Sequence, residues 1–193
     1  MRQGLRALLA VAVGSASLLA ASLAEGATTA TISVTVTIRN LSVSVADGTI
    51  AFGTVVAGSE TVNAEKQVVT NDGNVSETYT LQLTTTDVYV AGTTETAAGV
   101  NTYVLQALFT GSAGAAPVSA DFGADAGAAD DVVLSASAQT ASATVYAWTG
   151  STATGASVLA TGVRDLYFKY SAPTSATTFA EENLVVTITA TAA

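Results

Sequence analysis

Four aspartates, Asp121, Asp125, Asp130 and Asp131, fall within one Gly- and Ala-rich stretch, and carboxylates clustered on a flexible loop are the ligands that a calcium ion takes. Their spacing lacks the alternate-residue ladder of an EF-hand, so residues 121–131 read first as a solvated acidic loop, with calcium as the alternative. Glycoside hydrolysis needs two carboxylates about 5–9.5 Å apart in a cleft. Glu181 and Glu182 are adjacent and on a strand would point to opposite faces, so they suit a solvated turn better. A Ser–Lys nucleophile finds little support, because Lys66 stands in a polar connection and Lys169 lies between Phe168 and Tyr170 in an alternating segment. Tyr146, Trp148, Tyr167 and Tyr170 are the aromatics that a sugar-stacking platform would use. A single Trp in a β-domain more often fills the core. If Leu166, Phe168 and Tyr170 face inward, Tyr167 and Lys169 face solvent.

The composition narrows the chemistry further. The 193 residues include no histidine and no cysteine, which removes the imidazole base, the thiolate nucleophile and the soft ligands of zinc and iron–sulfur sites. No residue set meets the geometric requirements of a catalytic centre even in outline, so we expect no enzyme activity and no cofactor. Fifteen acidic residues against six basic give a formal net charge of −9, opposite to what phosphate binding needs, and nucleic acid is not an expected partner. With 49% hydrophobic and 11% charged residues, the chain has the make-up of a folded domain rather than a disordered one. A chain of this length buries enough surface to fold without disulfides.

The first segment reads as an address. Arg2 and Arg6 precede an apolar or small stretch over residues 7–21, and Ser22 and Ala24 are the small residues a signal peptidase reads. The expected division is a signal peptide over residues 1–24 and one domain over residues 25–193. The apolar run is shorter than the ~20 residues of a bilayer span. Cleavage would leave four basic against fifteen acidic residues, a net charge of −11. With no cysteine to carry lipid, the product is expected to be secreted or held at the cell surface, without membrane insertion after processing.

Beyond the signal the pattern is one of strands. Ile32, Val34, Val36 and Ile38 alternate with Thr and Ser over residues 31–38, a period of two with β-branched residues on both faces. At Arg39-Asn40 the phase slips, and Leu41, Val43 and Val45 continue on odd numbers, as a bulge or bend requires. Asp47-Gly48 signals a tight turn into a strand over residues 49–55. Asn71-Asp72-Gly73-Asn74 signals a hairpin loop between Val68-Val69 and the alternating Val75, Tyr79, Leu81 and Leu83. Further strands are expected over residues 103–110, 143–148, 165–170 and 184–191, and a long surface loop with a short helical turn over residues 111–131. This is an all-β chain, and its regular turns point to an antiparallel, immunoglobulin-like β-sandwich.

The run Ile50-Ala51-Phe52-Gly53-Thr54-Val55-Val56-Ala57-Gly58-Ser59, followed by Val68-Val69-Thr70-Asn71-Asp72-Gly73-Asn74, resembles the I-x-F-G-x-V-x-x-G and V-x-N-x-G-N pattern of bacterial extracellular surface domains and hydin-type immunoglobulin-like domains. The resemblance implies a β-sandwich used in scaffolding, adhesion or assembly, without catalytic residues. Its residues also have a purely structural reading, with Phe52 in the core and Gly53 and Gly58 at turns. The expected function is therefore that of a secreted structural or interaction protein, a homo-oligomer or polymer, whose sharpest version is a self-assembling extracellular filament or coat. The alternative is a carbohydrate-binding or adhesin module with a surface glycan as partner. For assembly, Ile32, Val34, Val36 and Ile38 would form a donor strand that completes a neighbour's sheet. The simpler reading makes residues 31–38 the first strand of the chain's own sandwich.

Overall fold

The computed structural model describes residues 29, 31–85, 88–112, 114–123 and 129–193. The expected signal segment and Asp125 lie outside the described residues, as does the side chain of Asp130. The chain divides after Thr37, and every strand among the described residues belongs to the second unit, Ile38–Ala193.

This unit is all-β. Its strands are β1 (Val43–Val45), β2 (Glu60–Val62), β3 (Gln67–Asn71), β4 (Glu77–Thr85), β5 (Val90–Ala91), β6 (Thr102–Gly111), β7 (Gln139–Thr140), β8 (Val163–Ser171) and β9 (Leu184–Ala192). Two short 3-10 turns, Ser119–Phe122 and Ala129–Val132, lie in the long connection after β6. No helix among the described residues is long and apolar enough to cross a membrane.

One sheet runs in the order β1-β3-β8-β6-β5, and the other in the order β7-β4-β9. β2 also pairs with β8, on the same edge as β3: β2 takes residues 169–171 and β3 takes residues 163–166. The gap between them is filled by the buried Asn63, whose N–H donates to the Phe168 carbonyl (3.0 Å) while its Oδ1 accepts from the Phe168 N–H (2.6 Å). A side-chain amide here imitates one step of a ladder, so no backbone group of β8 is left bare at the break. The expected antiparallel arrangement holds for every pairing of named strands except β5 with β6, which is parallel.

The main core lies between the two sheets. Tyr79, Leu81 and Leu83 of β4 meet Val69 of β3, Tyr103, Leu105 and Phe109 of β6 and Leu166 of β8. A second cluster, Leu108, Phe122, Val132 and Tyr167, covers the opposite face of β6 and β8. Residues 103–110 and 165–169 are consequently buried at every position.

Several expectations are corrected. Residues 31–42 lie in no strand, and only Val43–Val45 of the second predicted segment pairs in a ladder, although the Asn40 and Ser42 carbonyls accept from the Asn74 and Asp72 N–H groups. Residues 49–55 lie in no strand despite their β-branched content, and residues 143–148 form no ladder, with an isolated parallel bridge between Ala147 and Phe109. The turn at Asp47-Gly48 forms, with φ of 76° and 71°, the left-handed pair that favours Gly. Asn71 to Asn74 is no hairpin: β3 and β4 belong to different sheets, and this corner carries the chain between them. The connection after β6 is more than a surface loop, since Phe122 and Val132 are fully buried.

Candidate functional site

The four alternating residues of the N-terminal arm, Ile32, Val34, Val36 and Ile38, are 88%, 79%, 79% and 79% exposed. Apolar side chains at such exposure are costly in water, and four in one register form a stripe rather than scattered singles. The base of the arm is held by the crossing corner. The Asn74 Nδ2 donates to the Ile38 carbonyl (2.8 Å), and its Oδ1 accepts from the Asn40 N–H (2.8 Å), so one amide grips the backbone on both sides of Arg39. The Ser42 N–H donates to the Glu77 carboxylate (2.7 Å). Asn71, fully buried, donates to the carbonyls of Val75 and Val158 and accepts from the Gly73 N–H. Gly73 is required by proximity: a Cβ there would stand 2.5 Å from the Asn40 carbonyl oxygen and 2.5 Å from the Glu77 carboxylate. The Asn-Asp-Gly-Asn motif thus anchors the backbone at Ile38 and Asn40, where the arm joins the fold.

A cleft of about 1010 Å3 lies between the β9 flank and the β1–β2 connection. Its walls include Ile50, Phe52, Phe168 and Tyr170 on one side and Val186 and Ile188 on the other. Tyr170 lies between Phe52 and Tyr103, with ring centroids 5.5 Å from each, in the range of favourable aromatic pairs. Burial, with the neighbouring Tyr89 and Glu182 adding to it, pushes the Tyr170 phenol up to about 12, so this side chain stays neutral at ordinary pH. The mouth is bordered by the connection between β8 and β9. That segment is pinned where Asn101 and Thr177 exchange two hydrogen bonds of 2.7 Å and where the Tyr89 hydroxyl donates to the Thr178 carbonyl. Phe179, at its tip, is 92% exposed and borders the cleft.

A shallower pocket holds Glu60, Glu95, Ser119 and Lys169. Lys169, expected at the surface, is buried: its Nζ stands 3.7 Å from a Glu60 carboxylate oxygen and 5.9 Å from the centre of the Phe122 ring. The Ser119 hydroxyl donates to Glu60 (2.5 Å) and, ahead of the Lys169 charge, holds that carboxyl below its usual range against the opposing effect of burial. The amine is engaged by an acid and an aromatic face, which suits an ion pair that seats the covering segment rather than a nucleophile.

The remaining sequence candidates disperse. Tyr146 and Tyr167 are buried, and Trp148 and Tyr170 are half-buried in different clusters, so the four aromatics form no common exposed platform. Alternation assigns Tyr167, like Lys169, to the solvent face, but the connection after β6 covers both. The Asp121 carboxylate accepts from the Val118 N–H (2.6 Å) and closes the first 3-10 turn. Among the described residues no three acidic, histidine or cysteine side chains gather into a metal-holding group. Glu182 accepts from the Tyr89 N–H (3.0 Å) at the cleft mouth, and Lys66 pairs with the buried Asp165 at 2.7 Å. Neither the cleft nor the role of Phe179 is visible in the sequence, since a concavity between strands distant along the chain leaves no local pattern.

Protein-family models, curated proteins and solved structures yield no match to this chain.

Proposed function

We propose that this chain is a secreted structural protein of the cell surface, built on an immunoglobulin-like sandwich, that self-assembles into an extracellular filament or coat by β-strand addition. The observation that carries the reading is the exposed stripe of Ile32, Val34, Val36 and Ile38 on a segment of high strand propensity that lies in no strand. The signal-like first 24 residues and the likeness of residues 50–59 and 68–74 to surface-domain motifs support export and the sandwich assignment.

The gain from burying the stripe and the cost of association are of similar size. Fully burying a Val or Ile side chain is worth about 1.5–3 kcal/mol, so four supply about 6–12 kcal/mol. Joining two molecules costs about 4–15 kcal/mol, and the backbone hydrogen bonds of an added strand contribute on the favourable side. Asp at two of these positions would place charges in the buried face of that strand, an expense no partner groove offsets.

The test compares the exported protein with its Val34→Asp/Val36→Asp variant by electron microscopy and sedimentation. Expected are polymers of the unaltered protein and monomers of the variant, with an unchanged circular dichroism spectrum and melting temperature. A monomeric unaltered protein, or a variant that unfolds, overturns the proposal.

A further inference from the structure

The acceptor of such a strand can be located, an inference that rests on the strand-donor reading above. We propose that the arm of a second copy adds to the outer edge of β9 and lays Ile32, Val34, Val36 and Ile38 into the cleft between β9 and the β1–β2 connection.

Three observations converge on this edge. β9 is paired to β4 along all nine of its residues, while no strand among the described residues occupies its other edge. A β-strand directs alternate N–H and C=O groups to each side, so this edge presents a full row of donors and acceptors. Natural edges of such length are usually blunted by Lys, Pro or a bulge, yet Leu184–Ala192 reads LVVTITATA, with no charge and no proline. An edge left in this state is suited to pairing.

Length and facing agree as well. Eight extended residues of arm span roughly 26 Å, and the nine of β9 roughly 30 Å. On β9, Leu184, Val186, Ile188 and Ala190 are half-buried towards the core, while Val185, Thr187, Thr189 and Thr191 face solvent. The arm repeats the pattern, with Ile32, Val34, Val36 and Ile38 in one register and Thr31, Ser33, Thr35 and Thr37 in the other. Placed beside β9, its apolar register meets Phe52, Phe168 and Tyr170 across the cleft. Its hydroxyl register continues the Thr face of β9, where cross-strand Thr pairs are favourable. Phe179 at the mouth then gains an apolar surface to cover.

With a second copy as the occupant, each chain carries one donor and one acceptor of different shape. Such a contact propagates head to tail wherever two copies do not exchange arms reciprocally.

The chain has no cysteine, so introduced pairs report contacts cleanly. Protein carrying Thr35→Cys is mixed with protein carrying Val185→Cys, Thr187→Cys or Thr189→Cys, all outward-facing positions that leave the core intact, and is allowed to polymerise and oxidise. Controls carry Val90→Cys on the β5 edge or Thr140→Cys on the β7 edge. A disulfide forms only where Cα atoms approach to about 4.4–6.8 Å. Expected is a crosslinked dimer with at least one β9 position and its loss with β5 and β7. Polymer that crosslinks at β5 or β7, or at none of these positions, overturns the acceptor while leaving the donor arm standing. Absence of polymer overturns both. A chain carrying Thr35→Cys together with the reactive β9 cysteine distinguishes the remaining occupant: a crosslinked monomer means that the chain fills its own cleft and overturns the second copy.

Discussion

β8 and β9 are both nine-residue strands, and their burial runs opposite to their composition. β8 carries Arg164, Asp165 and Lys169, yet it is buried without interruption from Asp165 to Lys169. β9 has no charge at all and alternates between half-buried and exposed. The difference lies in what covers each. β8 has β6 on one edge and β2 and β3 on the other, the core on one face and Phe122 and Val132 on the other. Each charge is met there: Arg164 donates to the Thr154 carbonyl (2.7 Å), Asp165 pairs with Lys66 and Lys169 with Glu60. β9 has one partner edge and one covered face. A polar strand can be internal if its charges are paired.

Uncovering β8 should have the largest effect. Phe122→Ala removes the aromatic that closes its outer face and seats Lys169, and it is expected to lower stability by about 3–5 kcal/mol in urea unfolding. A loss below about 1 kcal/mol would mean that the covering segment contributes little. On the β9 side, Phe52→Ala removes a half-buried cleft wall, and the expected loss in the monomer is about 1–2 kcal/mol, smaller because the side chain is already partly in water. Equal losses at the two sites would show that the cleft is as closely packed as the covered face.

The smallest expected effect is electrostatic. The Glu60 carboxyl is lowered from its ordinary 4.5, so the folded state binds its proton less readily than the unfolded chain. Its contribution is complete above about pH 4.5 and is lost as pH falls through the lowered value. Thermal melts of Glu60→Gln should therefore show a smaller fall in melting temperature between about pH 6 and about pH 3 than the unaltered protein shows. An identical fall in both would remove Glu60 from the acid response.

Much of the strand framework is readable in the residues. β3, β4, β6, β8 and β9 coincide with segments of β-branched and aromatic residues at a spacing of two, since alternation records a strand's two faces. The Asp47-Gly48 turn is readable because only certain residues accept positive φ cheaply. The Asn71-Asp72-Gly73-Asn74 motif is visible as a turn, but its role as a corner between sheets is not: a turn signal specifies a change of direction and leaves the partner of the next strand open. Of the candidate site, the arm is legible by its alternation and the phase slip at Arg39-Asn40. The cleft is not, because Phe52, Tyr170 and Ile188 come from three distant segments.

The all-β character, the apolar register of the arm and the want of histidine and cysteine chemistry are written in the chain, because propensity, periodicity and composition are local properties. Which alternating segments pair, and which faces are covered, was settled by tertiary contacts. Residues 31–38 and Leu184–Ala192 carry the same alternation, yet only the second lies in a strand, beside β4. Tyr167 and Lys169 are inside because a segment much earlier in the chain lays Phe122 over them. Backbone hydrogen bonds and burial belong to pairs of segments, and no window along one segment contains its partner.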